Sequence, residues 1–365
     1  MRRLPIFFVI DVSESMVGEP IASVSAGIKT MIQSLRQDPY ALETAYISII
    51  VFAGKAKTIV PLTDIVSFYP PQMPIGGGTS LGAGLNHLIS EMNSKLVKND
   101  GTTKGDWKPV IFLFTDGVPT DFPEAAIRDW EVNYRNRANL VAISIGNSAD
   151  INLLRRLTDQ VLLFNDTKPE SYKDFFKWVT ASISTQSQKI ENTGDDTLQL
   201  SNLDETIAFK VDLTKSVPTK ADENCVVLNG LCQQTKAPYL IKFKRNANAV
   251  DEWAEIIYED HSSPNLNPGS GSTRTFILAG AFAISAPEEY VELSTSNFEQ
   301  LKISSAELAG NPSCPCCGNQ FGFSTCACGG IHCSHGAGLN RCPWCNSEGV
   351  YGYAEGDDDI TRGLG

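Results

Sequence analysis

Residues 4–10 (LPIFFVI) are apolar from end to end and stop at Asp11. A strand without polar alternation has no face to give to water, so it belongs inside a sheet covered on both sides. The pattern returns at Ala45–Ala53, Val110–Thr115 and Leu140–Ile145. Between these runs, apolar residues recur at helical spacing over Ile21–Leu35, Leu81–Leu96, Pro123–Arg137, Ile151–Leu157 and Tyr172–Ile183, with a short strand at Val161–Phe164. Buried strands alternating with amphipathic helices predict an α/β fold over residues 1–186, a doubly wound, mostly parallel sheet. Open sheets of this kind bind ligands at the carboxyl ends of their strands.

Two of those ends carry oxygen ligands. Asp11-Val12-Ser13-Glu14-Ser15 follows the first apolar run, and Asp116-Gly117 follows Val110–Thr115. A third loop, Gly76-Gly77-Gly78-Thr79-Ser80, precedes a helix and adds a hydroxyl at Thr79. Alone, an Asp at a strand end is a helix cap and Asp-Gly is a turn. Together, two carboxylates and three hydroxyls on three such loops make a hard-oxygen site for magnesium, with manganese or calcium as alternatives. Ser80 and Glu14 read as turn or capping residues, and Asp121 and His87 as solvated or locally bonded ones. The series Asp11, Ser13, Ser15, Thr79, Asp116 matches the metal-ion-dependent adhesion site, so residues 1–186 resemble the von Willebrand factor A domain family. The resemblance implies that a partner's Glu or Asp completes the ion's shell.

Catalysis finds little support. A phosphatase of the haloacid dehalogenase type with Asp11 as nucleophile needs an acid two residues on, where Ser13 stands. No G-x-S-x-G elbow, Walker A loop or H-E-x-x-H pair occurs. A metal-dependent hydrolase and an assembly subunit of a chelatase-like machine are the alternatives to a non-enzymatic adaptor.

After a polar stretch at Ser184–Asp196, which reads as a linker, the pattern turns β-rich over 197–310. Strands are predicted at Thr206–Leu213, Cys225–Leu228, Tyr239–Lys244, Trp253–Tyr258, Arg274–Ile284 and Leu301–Ile303, with a long loop at His261–Ser272. Cys225 and Cys232 read there as small buried apolar residues. Eight of the ten cysteines crowd into 312–348. Cys314-Pro315-Cys316-Cys317-Gly318 and Cys342-Pro343-Trp344-Cys345-Asn346 are similar knuckles about 25 residues apart, a spacing that predicts one zinc on Cys314, Cys317, Cys342 and Cys345. A hairpin over Gln320–Gly336 turning at Gly329-Gly330 places Cys326, Cys328, Cys333 and His335 on one face, where a second zinc fits. His332 faces the other way in that register. So small a module needs zinc to fold. Residues 349–365 read as an acidic flexible tail.

The net charge of −12 argues against nucleic-acid or anionic-membrane partners. No run reaches the length of a membrane span. The apolar N-terminal run is too short for a signal peptide, so a cytoplasmic location is expected. A von Willebrand A domain followed by CPCCGNQFGFSTCACGGIHC and RCPWC resembles the TerY-like proteins of the tellurium-resistance family. That resemblance implies a stress-response or phage-defence setting, with a protein kinase and a PPM-type phosphatase as partners.

Overall fold

The computed structural model describes residues 2–363 apart from 101, 103, 147–148, 165–168, 203, 205–207, 211–224, 247–274, 296–301 and 352–358. The chain forms two units. The first comprises Met1–Asp222 with Glu288–Ser296 and Gly365, and the second comprises Glu223–Pro287 and Asn297–Leu364.

In chain order the first unit contains β1 (Leu4–Asp11), α1 (Glu19–Leu35), α2 (Pro39–Thr44), β2 (Ala45–Phe52), β3 (Ala56–Asp64) and α3 (Leu81–Lys95). There follow β4 (Val110–Thr115), α4 (Glu124–Asp129, continued by a π-turn to Tyr134), β5 (Asn139–Ile145), α5 (Ile151–Leu157), β6 (Val161–Phe164), α6 (Pro169–Thr193) and β7 (Phe209–Lys210). The sheet order is β3-β2-β1-β4-β5-β6-β7, parallel except at its two edge strands. Alternate residues of β1 feed opposite cores. Ile6, Phe8 and Ile10 join the layer with α1 and α6, while Phe7 and Val9 join the layer with α3, α4 and α5. Two-sided burial is why the apolar runs lack alternation. The strand order reverses direction at β1, with β2 on one side and β4 on the other, and this is where such sheets open a crevice.

The sequence reading missed edge strand β3 and helix α2. Its linker at Ser184–Asp196 is helical to Thr193, because Gln186, Ser187 and Ile190 are buried on α6. Of the predicted strand Thr206–Leu213, Phe209–Lys210 pairs with β6 and so extends the first sheet.

Helix α1 crosses α6 at Gly27, where an added Cβ would lie 2.0 Å from the Phe176 ring. That ring cannot yield, since it stacks on Phe114 at 5.9 Å and meets Phe175 edge-on. Gly27→Ala would gain about 0.5–1 kcal/mol in helix propensity. Overpacking of a filled core costs about 1–3 kcal/mol and outweighs it. The expected result is a lower urea midpoint at unchanged slope.

The second unit continues with β8 (Cys225–Leu231), β9 (Pro238–Arg245), β10 (Phe276–Ala283), β11 (Lys302–Ser304), β12 (Leu308–Ala309), β13 (Phe321–Thr325) and β14 (Ile331–Ser334). It ends with β15 (Gly338–Arg341), β16 (Glu348–Tyr351) and β17 (Asp359–Thr361). Helix α7 (Pro287–Leu293) lies between β10 and β11 in the chain, and from Glu288 onward it belongs to the first unit. One sheet runs β12-β10-β9-β8-β14-β13. The sequence reading treated 197–310 and 312–348 as separate domains. Their strands instead share this sheet, because β8 pairs in parallel with β14 and both feed one core with Val226, Ile241, Phe243 and Ile331. Residues 349–365 are not merely a tail: Asp359–Thr361 pairs with β11, and Ile360 is buried in the same core. Trp253–Tyr258 and the loop His261–Ser272 lie outside the described residues. No helix among the described residues is long and apolar enough to cross a membrane.

Candidate metal centres

The structure brings the five oxygen-bearing residues together at the carboxyl ends of β1 and β4. Asp11 ends β1 wholly buried, its Oδ1 accepting from Ser13 N (2.9 Å) and its Oδ2 from Thr115 Oγ1 (2.7 Å). Burial pushes its carboxyl up to about 6, although the bonds from Ser13 and Thr115 pull the other way. Ser13 Oγ lies 3.0 Å from Ser15 Oγ, which donates to Asp116 Oδ1 at 2.8 Å. Ligands about 2.1 Å from a magnesium ion at right angles stand about 3.0 Å apart, so these oxygens already have the spacing of an octahedral edge. The Thr79 hydroxyl sits beside the Asp116-Gly117 turn, 3.7 Å from where a Gly117 Cβ would stand. The residues present therefore fit a hard divalent cation, with Asp11 serving first as the brace of its loop.

Backbone bonds fix the three loops to one another. Gly76 N donates to Val12 O (2.9 Å), Ser80 N to Ala53 O (2.6 Å) and Thr120 N to Thr79 O (2.7 Å), while Thr120 Oγ1 accepts from Thr79 N (2.9 Å). Ser80 caps α3, accepting from Ala83 N. Asp121, read from sequence as solvated or locally bonded, accepts from Ser80 Oγ (2.5 Å) and Gly82 N (2.9 Å), clamping the start of α3 to the loop after β4. His87 bonds Thr58 Oγ1. Glu14 is 1% exposed, and its Oε1 accepts from the Tyr290 hydroxyl, a partner that no sequence motif announces.

The cysteines divide differently from the sequence reading. The set Cys314, Cys317, Cys342 and Cys345 is split, and so is the set Cys326, Cys328, Cys333 and His335. One cluster joins Cys232, Cys314, Cys317 and Cys333; the other joins Cys326, Cys328, Cys342 and Cys345; within each, all sulfurs lie within 4.8 Å of one another. Nearest sulfurs are 3.7 Å (Cys317–Cys333) and 3.9 Å (Cys232–Cys333) apart in the first, and 3.8 Å in the second (Cys326–Cys345 and Cys328–Cys342). Four thiolates about 2.3 Å from a tetrahedral zinc stand about 3.8 Å apart, whereas a disulfide needs about 2.05 Å. Both clusters fit a closed four-thiolate zinc site. The first lies in the core of the second unit, while in the second Cys328 and Cys345 are exposed.

Backbone turns build the knuckles. Gly318 N donates to Cys314 O and Asn346 N to Cys342 O, with φ +77° and +60° at these left-handed residues. Cys232-Gln-Gln-Thr235-Lys236 makes the same turn: Lys236 N donates to Cys232 O, at φ +60°. It is a third knuckle whose second cysteine is replaced by Thr235, and it makes Cys232 a ligand candidate rather than core filling. Burial would raise the Cys232 thiol, but bonds from Thr235 outweigh it and bring it down to about 7. Cys326 is drawn down to about 6, chiefly by the Cys328 N–H. Each cluster thus contains one thiol ready to ionise first.

The hairpin at 321–334 forms in a different register. Ser324 pairs with His332 and Thr325 with Ile331, so Cys326 and Cys328 lie in the turn rather than on the strands. Gly329, at φ +84°, allows that wider turn. Neither histidine joins a cluster. His332 is buried, its Nδ1 donating to Cys333 O (2.8 Å), and the backbone N–H of His335 donates to Asn340 Oδ1 (3.3 Å).

Comparisons with known proteins give two family matches. Residues 6–178 match the von Willebrand factor type A domain family, and residues 222–365 match the TerY-C metal binding domain family. The chain is 26% identical over 160 residues to inter-alpha-trypsin inhibitor heavy chain H6 of Homo sapiens, covering 42% of this chain and 12% of that protein. It is 27% identical over 161 residues to heavy chain H2 of Mesocricetus auratus, covering 42% and 17%. The chain thus spans less than a fifth of the length of these curated relatives. Among solved structures it is similar to VWA2, the ArnB paralog of Sulfolobus acidocaldarius (17% identity, 51% of this chain and 45% of that chain, TM-score 0.37). It is also similar to proximal thread matrix protein 1 from the mussel byssus with a zinc-occupied MIDAS motif (18% identity, 49% and 46%, TM-score 0.36). The three oxygen-bearing loops thus belong to a von Willebrand factor type A domain over residues 6–178, and the two four-cysteine clusters to a TerY-C metal binding domain over residues 222–365.

Proposed function

We propose that this chain is a non-enzymatic adaptor that grips a partner protein through a divalent cation on Asp11, Ser13, Ser15, Thr79 and Asp116. An acidic side chain of the partner completes the ion's shell. Uneven burial carries the reading. Asp11, Ser13, Ser15 and Thr79 are at most 3% exposed, whereas Asp116 is half-buried and leaves the approach beside it open. Magnesium suits this set, since hard oxygens hold it through few carboxylates and it keeps sites for water or an incoming carboxylate. The second unit, built around two zinc ions, supplies structure and further docking surface. The acidic balance of the chain favours a protein partner over nucleic acid or an anionic membrane. The resemblance to TerY-like proteins supports a cytoplasmic protein kinase and a PPM-type phosphatase as the partners.

The test is capture from native lysate in magnesium, comparing wild type with Asp116→Ala. Kinase or phosphatase chains held by wild type and released by the variant, or when magnesium is left out, are the expected outcome. Equal retention by a folded Asp116→Ala chain would remove the cation as the grip.

A further inference from the structure

The loop of the cation site that carries Thr79 is rich in glycine, yet only Gly78 among Gly76, Gly77 and Gly78 has a positive φ, +90°. The other two answer to a close neighbour. A Cβ on Gly76 would lie 2.7 Å from Leu293 Cβ, and one on Gly77 would lie 3.1 Å from Ser294 Oγ. On the adjoining loop, a Cβ on Gly54 would lie 2.1 Å from Thr295 N. The segment 288–295, far away in sequence but part of the first unit, thus lies directly on the loops that carry the site. Polar bonds seat it: Ser294 Oγ accepts from Gly77 N (2.8 Å), Thr295 N donates to Gly77 O (3.3 Å), and Leu293 O accepts from Lys55 N (2.9 Å). The Leu293 side chain is 2% exposed within the core that holds Ile10 and Val12. Tyr290 donates its hydroxyl to the buried Glu14, the residue between Ser13 and Ser15.

We infer that residues 288–295 are a strap that completes the cation site, with Tyr290 and Ser294 as its positioning residues. Tyr290 holds the loop of Ser13 and Ser15 by way of Glu14. Ser294 and Leu293 hold the glycine loop two residues before Thr79. Through its bonds to Gly77, Lys55 and Glu14 the strap shapes the ligand set from the side of the glycine loop and of the loop after β1. Lys57 and Glu292 add a surface pair at 2.8 Å, which contributes little because both side chains are exposed. The inference rests on the cation reading of the site and deepens it.

The experiment uses the full zinc-loaded chain and manganese as the probe, with free and bound ion measured by electron paramagnetic resonance. Wild type binds one manganese, and Tyr290→Phe combined with Ser294→Ala weakens that binding about tenfold, with zinc content and melting temperature close to wild type. Ser294→Thr, which keeps the hydroxyl, retains the affinity, as does Glu292→Ala at the surface pair. Wild-type manganese affinity in the double variant overturns the strap's role, whether or not its melting temperature falls. If wild type and Asp116→Ala both fail to bind manganese, the cation reading itself fails first.

Discussion

Cys232→Ser is expected to disable one of the two four-cysteine clusters as a zinc site and, with it, the ordered core of the second unit. Cys232, Cys314 and Cys333 are each at most 2% exposed and pack with Val226, Leu228, Tyr239 and Phe243. Without an ion, burial pushes the Cys314 thiol up to about 12 and raises the Cys333 thiol as well, so the cluster is left with desolvated sulfurs that no cation balances. Structural zinc contributes on the order of 10 kcal/mol in small zinc domains, comparable with the roughly 5–15 kcal/mol that stabilises a whole domain. A serine hydroxyl stays protonated at neutral pH and does not replace the thiolate. Elemental analysis should read one zinc per chain, and hydrogen exchange should accelerate across β8 and β9. Cys345→Ser is the contrasting case, since Cys345 and Cys328 are exposed and the cluster lies beside the β15–β16 hairpin rather than in the core that holds β8 and β9. It should also cost one zinc while β8 and β9 keep their protection. Two zinc ions and full protection in Cys232→Ser would return Cys232 to the role of core filling.

The second large effect concerns Asp11. Its folded-state carboxyl stands at about 6 when no ion is present, above the ordinary value of 3.8, because it is desolvated. A raised value means that the folded chain holds the proton more tightly than the unfolded chain. The stability this gives is complete below about 4 and is lost as pH rises through about 6. Between pH 5 and 7.5, then, the ion-free wild type should lose stability relative to Asp11→Asn, whose amide carries no charge. Magnesium reverses the order at pH 7.5, because a cation stabilises the buried carboxylate that water cannot reach. At a hundred times its dissociation constant it contributes about 2.7 kcal/mol. For a unit of this size that corresponds to a rise of about 5–10 °C in melting temperature. Asp11→Asn should show no magnesium response, and wild type should lose its response as pH falls below 6. A magnesium shift that survives in Asp11→Asn would mean that the charge at this position does not hold the ion.

Much of the first unit is legible in sequence because its signals are local. Strands buried on both faces show as unbroken apolar runs, and each cation loop adjoins the end of a strand or the start of a helix. The strap is not legible, because Tyr290 and Ser294 follow some 170 residues after the last cation ligand and belong to no motif. What sequence does record is its imprint, the glycines at 54, 76 and 77, whose reason shows only when the chain lying against them is seen. The cysteines mislead for a different reason. Likeness between the knuckles at Cys314 and Cys342 reports a shared backbone turn, not a shared ion. That turn needs a residue tolerant of positive φ four positions after the first cysteine, and Gly318, Asn346 and Lys236 all serve. Because Thr235 stands in the second cysteine's place, the third knuckle escapes a search for paired cysteines. The hairpin register slips for a similar reason: alternation assumes that Cys326 and Cys328 are on strands, but they form the turn.

The route of the chain has a consequence for how such proteins can be recombined. The polypeptide builds the first unit, leaves it for the second, comes back for residues 288–296 and leaves again. The first family match ends at residue 178 and the second begins at 222, but a seam at 222 does not separate the two folding bodies. A fragment cut there keeps every cation ligand while baring the slot that Leu293 fills. A graft that exchanges everything after the seam between two relatives likewise imports a foreign strap against native glycines. Hybrids of this family should therefore tolerate exchange best when 288–296 travels with the sheet it lies on, two cuts further along the chain than the motif border suggests.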